Sequence, residues 1–152
     1  MNRIFLLLLT ASLHSCGRSE GNTMPDAVIS PPTVSGVATT SIQATNNGFS
    51  CAQRNNNICT VVTVAFEIRA TNTGSGTARN PKIVITSTPA HFNHAIPFGV
   101  QATDSNFYWA PGSTFMAGHA VVRSSSATEG ATYQFHFSAV DDTGRIIGST
   151  SL

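Results

Sequence analysis

Cys51 and Cys59 enclose Ala-Gln-Arg-Asn-Asn-Asn-Ile, a polar stretch dense in turn-forming residues. Such a segment can fold back as a hairpin and bring two Cα atoms within the roughly 4.4–6.8 Å that a disulfide requires. Closing so short a loop removes a modest chain entropy, about 2–3 kcal/mol on the entropic account. Two other chemistries compete for the pair. A structural metal wants third and fourth ligands, and none stands nearby in sequence. A catalytic dithiol wants a Cys-x-x-Cys spacing at a helix start, which is missing. A disulfide is the expected chemistry.

His91-Phe-Asn-His94 is the other local group of potential ligands. Two histidines three apart in a loop after Pro89 could share a metal with His119 or His136, but without a neighbouring carboxylate or cysteine they read better as solvent-facing loop residues. Asp141 and Asp142 could pair as catalytic carboxylates or hold calcium. Followed by Thr143-Gly144-Arg145, they read instead as a β-turn whose carboxylates accept from nearby amides. Serine is plentiful, yet no Gly-x-Ser-x-Gly elbow occurs, and no glycine loop of the phosphate- or dinucleotide-binding kinds is present. Catalysis is not expected, and no cofactor is implied.

Residues 1–16 place Arg3 ahead of an apolar run from Ile4 to Leu9, then Leu13-His14-Ser15-Cys16. The run is too short for a membrane span, which needs about 20 apolar residues, and suits the apolar region of a signal peptide. The Leu-x-Ser-Cys ending resembles the lipobox of bacterial lipoproteins. That resemblance implies cleavage before Cys16 and its acylation, with Gly17 directing the product to the outer membrane of a Gram-negative cell. With Cys16 acylated, the three cysteines reduce to one pair in an oxidising compartment. Residues 17–32 carry Gly, Ser and Pro without periodicity and read as a flexible tether, stiffer at Pro31-Pro32.

What must position these groups is a β domain over residues 33–152. Val62, Val64, Phe66, Ile68 and Ala70 alternate with Thr63, Ala65, Glu67, Arg69 and Thr71, the pattern of a strand with one buried face. Tyr133, Phe135, Phe137 and Ala139 repeat it against Gln134, His136 and Ser138. Further strands are expected at 34–44, 82–88, 96–102, 107–110, 114–123 and 145–150. Pro81 removes a donor, so it belongs outside the ladder. Turn signals every eight to fourteen residues and no 3.6-residue period predict an all-β, immunoglobulin-like sandwich of about seven or eight antiparallel strands, with Trp109 in or beside its core. Phe92, Ile96, Phe98, Phe107, Tyr108 and Phe115 are read mainly as core, with an exposed partner patch as the alternative.

The run Phe66-Glu-Ile-Arg-Ala-Thr-Asn-Thr-Gly-Ser-Gly-Thr-Ala-Arg-Asn80, the apolar strand at Ile83 to Ile85, Pro89, Tyr108-Trp109 and Ala110-Pro-Gly112 resemble the conserved-repeat and CARDB-type immunoglobulin-like domains of bacterial surface proteins. The resemblance covers about residues 58–140 and implies a structural, adhesive or assembly module with no catalytic residues to carry over.

Composition limits the partners. The 152 residues carry a formal net charge of +1 with 10% charged side chains, against about 25% in an average soluble protein. Nucleic-acid binding would need clustered Lys and Arg. The expected protein is therefore a non-catalytic, lipid-anchored envelope module. It would hold the membrane through its anchor and dock on another envelope protein, as a small subunit of a secretion, conjugation or pilus assembly. The alternative is a metal- or small-ligand-binding lipoprotein built on His91 and His94.

Overall fold

In the computed structural model, which describes residues 35–98 and 107–152, the alternation of residues 62–70 becomes the inner face of a long hairpin. Strand β1 (Thr40–Asn55) pairs antiparallel with β2 (Ile58–Asn72). Val64, Phe66, Ile68 and Ala70 are fully buried. The two strands are joined by Asn56 and Asn57, both at positive φ (49° and 66°). That is the backbone a two-residue hairpin turn demands for its twist to match the strands, and asparagine tolerates it better than most residues.

The remaining elements are β3 (Ala78–Arg79), β4 (Lys82–Thr88), β5 (Asn93–Pro97), β6 (Tyr108–Trp109), β7 (Thr114–Ser124), β8 (Gln134–Val140) and β9 (Ile146–Ser151). One sheet has the order β1-β2-β7 and the other β5-β4-β8-β9, all neighbours antiparallel. The chain changes sheets between β2 and β4, β5 and β7, and β7 and β8, so strands adjacent in space are often distant in sequence. Seven of the strands have five or more residues, while β3 and β6 form a two-residue ribbon. This is the immunoglobulin-like sandwich expected from the sequence.

The two inner faces meet through aromatic rings. Phe66 on β2 stands edge-on to Phe135 and Phe137 on β8, with ring centroids 4.8 and 5.1 Å apart, the geometry preferred by ring quadrupoles. Ile83, Ile85 and Ala139 complete the centre. Trp109, 3% exposed, lies edge-on to Phe98 at 4.7 Å and so caps the core as expected. Phe92 and Phe98 are buried, and Ile96, Phe107 and Phe115 pack against the core. The middle aromatics are thus mainly structural. Pro81 is buried immediately before β4 and outside its ladder.

Two strands depart from the sequence expectation by more than two residues at an end, and the short β3 was not expected. The first strand begins at Thr40 and continues through Asn55, well past Ala44. Its extension is mostly polar and largely exposed, with Phe49 and Cys51 as exceptions, so no alternating burial pattern encodes it. It also carries register irregularities between Asn46 and Gly48, between Cys51 and Gln53, and between Gln53 and Arg54. The strand expected at 96–102 is seen as Asn93–Pro97, and residues 99–102 lie outside those described, as do the leader, Cys16 and the tether.

One end of the sandwich receives the incoming chain. Thr39 O accepts from Thr73 N at 2.9 Å, and Val37 O accepts from Gly76 N at 3.2 Å. The segments cross so closely that a Cβ on Gly76 would collide with the Gly36 carbonyl, so glycine is required there by the approach itself. Asn72, 1% exposed, organises the same turn. Its Nδ2 donates to Gly76 O at 2.9 Å and Trp109 O at 3.0 Å, and its Oδ1 accepts from Gly74 N at 3.1 Å.

The Asp141–Arg145 turn between β8 and β9 lies at this end too. Asp141 Oδ1 accepts from Thr143 N, Thr143 Oγ1 and Arg145 N at 3.1, 2.6 and 3.0 Å, while Oδ2 takes Arg145 Nε at 3.0 Å. Burial alone raises its pKa. The bonds from Thr143 and Arg145, which favour the charged form, outweigh that effect and hold it below the ordinary carboxylate value. A depressed folded value means that this stability is present above about pH 4, the unfolded range, and is lost as pH falls through the folded value. Asp141→Asn is therefore expected to be less stable than the parent at pH 7 and to show a flatter loss of stability below about pH 4. Urea titrations at several pH values check this, and parallel acid limbs in the two proteins would contradict it.

Candidate functional site

The opposite end of the sandwich collects the chemistry-bearing residues. The β1–β2 hairpin reaches out there as an arm, and Cys51 and Cys59 are joined by a disulfide across it, with Cα atoms 5.8 Å apart. The two cysteines are not directly opposed. Cys51 faces Val62 and Cys59 faces Arg54, and the irregular register between them lets the pair meet.

The arm is braced from a second direction. Arg54 Nη2 meets Glu129 Oε1 at 2.6 Å, tying the hairpin to the loop before β8. Both side chains are half exposed, so the pair contributes less than about 1 kcal/mol and acts mainly as a guide to position. Phe49, although 48% exposed, turns its ring towards Tyr133 and Phe135, with centroids 6.5 and 6.1 Å away. Beside it lies a recess of about 120 Å³ reaching Val62 and Gly130. That volume is below the roughly 300–1,000 Å³ of small-molecule pockets and suits a single side chain. Ile58, next to the arm's tip, is 70% exposed.

The histidines stay apart. His91 Nδ1 lies 3.2 Å from Ser126 Oγ, and its ring stands edge-on to Tyr133 at 5.7 Å. His94 sits exposed on β5 opposite Ile85. His136 lies between Thr88 Oγ1 at 3.0 Å and Ser151 Oγ at 2.9 Å. His119 is exposed at the irregularity of β7. Among the described residues, the only group of three His, Cys, Asp or Glu side chains with ligand atoms within 4.8 Å of one another is Cys51, Cys59 and Glu129, which contains no histidine.

His91 with Ser126 has the spacing of a nucleophile and its base. A working pair also needs a third group to orient the imidazole, and among the described residues no carboxylate lies within ion-pair distance of a histidine. Asp141 is committed to its turn, as expected, and Asp142 pairs with Arg79 at 3.4 Å.

The cysteine pair was visible in the sequence. Glu129 and Arg54 were not, because their meeting joins residues 75 apart in sequence and depends on the fold alone. Phe49 was also missed, since it sits in a polar stretch with no periodicity around it.

No protein-family model matches the chain, and no curated protein matches it. Solved structures resemble it only distantly. The Bordetella pertussis protein assigned as ApaA is 17% identical over 76% of this chain and 94% of its own, with a TM-score of 0.41. The archaellum periplasmic stator protein FlaG from Sulfolobus acidocaldarius is 14% identical over 74% of this chain and 100% of its own, with a TM-score of 0.30. Likenesses this distant carry no argument about what the chain does.

Proposed function

We propose that this chain is a lipid-anchored, non-catalytic interaction module of the bacterial envelope, a small subunit of a secretion, conjugation or pilus assembly. The observation that carries the reading is the division of labour between the two ends of the sandwich. The segment leading back to Cys16 is fastened at one end through Val37, Thr39 and Gly76. The cross-linked arm, with Ile58 exposed beside its tip, stands at the other. A lipid at Cys16 would thus be joined to the domain at the end opposite the arm.

The chemistry is consistent with this placement. The Cys51–Cys59 bond suits an oxidising compartment. An arm held by a disulfide and a neighbouring loop loses little further freedom on docking, which favours binding. The acyl chains supply membrane affinity at about 0.8 kcal/mol per buried methylene, and more than one chain is needed for stable anchoring.

Labelled palmitate is expected to enter the wild-type chain and to be absent from Cys16→Ser, which should leave the membrane fraction. A photo-crosslinker at Ile58 should give a discrete adduct in native membranes, whereas one at Ser75, beside the incoming chain, should not. Cys16→Ser that still partitions with membranes would overturn the anchor. Equal crosslinking from both positions would overturn the assignment of the arm as the docking end.

A further inference from the structure

The cysteine pair has a third potential ligand that its own segment does not supply. The sulfurs of Cys51 and Cys59 and a carboxylate oxygen of Glu129 all lie within 4.8 Å of one another. Arg54 grips Glu129 through Oε1, which leaves Oε2 outside that ion pair. An open depression of about 360 Å³, lined by Cys59 and Glu129 together with Ile58 and Thr128, gives solvent a route to the corner.

We propose that, once the disulfide is reduced, Cys51, Cys59 and Glu129 bind a zinc-class divalent cation, so that the arm alternates between a covalent cross-link and a metal cross-link. The reductant is a dithiol. It gives two electrons and two protons to the Cys51–Cys59 bond, producing two thiols, and is itself oxidised to a disulfide. Metal binding then releases both thiol protons and forms two metal–sulfur bonds and one metal–oxygen bond, with water as the fourth ligand.

The geometry allows this with little movement. Tetrahedral zinc with bonds of about 2.3 Å to each sulfur sets the sulfurs about 3.8 Å apart, and Cα atoms 5.8 Å apart accommodate that through side-chain rotation. The backbone needs no covalent bond to stay in place, because the β1–β2 ladder runs on both sides of the pair, from Thr40↔Asn72 to Asn55↔Ile58. Two thiolates and a carboxylate around a dication leave one net negative charge. The Arg54 guanidinium offsets that charge and fixes the carboxylate's orientation, as the outer partners of metal ligands commonly do. Thiolate ligands select zinc over magnesium or calcium.

The test uses the full chain with Cys16→Ser, so that Cys51 and Cys59 are the only thiols, reduced by a phosphine and handled without oxygen. Zinc alone is titrated against a chelating dye, and cobalt serves as a spectroscopic substitute. One equivalent is expected to bind the reduced chain, with a thiolate-to-cobalt charge-transfer band, and the oxidised chain should bind at least a hundredfold more weakly. A further Cys59→Ser change should abolish binding, Glu129→Gln should weaken it, and Arg54→Gln, which removes the outer partner of that ligand, should weaken it about 10- to 100-fold. Equal affinity in the oxidised and reduced forms would overturn the proposal, as would an unchanged affinity in Glu129→Gln. Loss of the Trp109 near-ultraviolet dichroism on reduction would also overturn it, since the site requires the sandwich to survive without its covalent bond.

Discussion

Phe66→Ala is expected to lower the unfolding free energy by about 3–5 kcal/mol, the usual cost of removing a fully buried phenylalanine. The ring is completely enclosed and contacts Phe135 and Phe137 in edge-on geometry. Its loss removes both buried area and the contacts that join the two sheets. The surrounding strands cannot close over the gap, because Phe66 is paired with Ala120 on one side and Asn46 on the other. For a domain of this size the melting temperature should fall by about 10–20 °C. Phe66→Leu should recover much of the loss, since it refills most of the volume. A fall of less than about 1 kcal/mol in Phe66→Ala would mean that the sheets are not held together at this point.

Asn72→Ala is expected to cost about 2–4 kcal/mol, through polar groups rather than a cavity. Three backbone groups depend on that one amide: the carbonyls of Gly76 and Trp109 and the N–H of Gly74. All three lie where the incoming segment, the turn after β2 and the β3–β6 ribbon converge. Water cannot readily replace an amide that is 1% exposed. Asn72→Asp separates the contributions. It retains the acceptor for Gly74 but removes the donor that Asn72 gives to the two carbonyls, so it should be no better than alanine. Chemical denaturation with hydrogen exchange at Gly74 checks both variants. Faster exchange there should accompany the global loss, and unaltered exchange would count against this role for Asn72.

The parts of the fold that could be read from residues alone are those where burial imposes a rhythm. Val62 to Ala70 and Tyr133 to Ala139 each show a period of two because one face of each strand meets the other sheet. The Asp141–Gly144 turn was equally visible, since short polar side chains that can serve their own backbone reveal a turn locally. The outer arm was not visible in this way. Residues from Asn46 to Asn55 are mostly polar and largely exposed, with Phe49 and Cys51 as isolated exceptions, so nothing in their order distinguishes strand from loop. Their structure is imposed by pairing with β2.

The same division applies to the site. Cys51 and Cys59 could be paired from sequence because the turn between them is short. Glu129 reaches them only because β7 delivers the following loop to the same end of the molecule as the arm, and that delivery depends on which strands become neighbours. His91 and His94 show the reverse case. Their spacing invited a shared ligand, but His91 turns to Ser126 and Tyr133 while His94 stays on an outer strand.

The irregular register of β1 has a consequence beyond the meeting of the two cysteines. A long, unpaired outer strand is a template on which a second chain could crystallise into an endless ribbon, the first step towards fibrils. Three breaks in its pairing within ten residues, together with the proline that ends β5, interrupt the straight row of amides that such growth would copy. Copies of the domain that meet edge to edge are thus not led into continuous sheet growth.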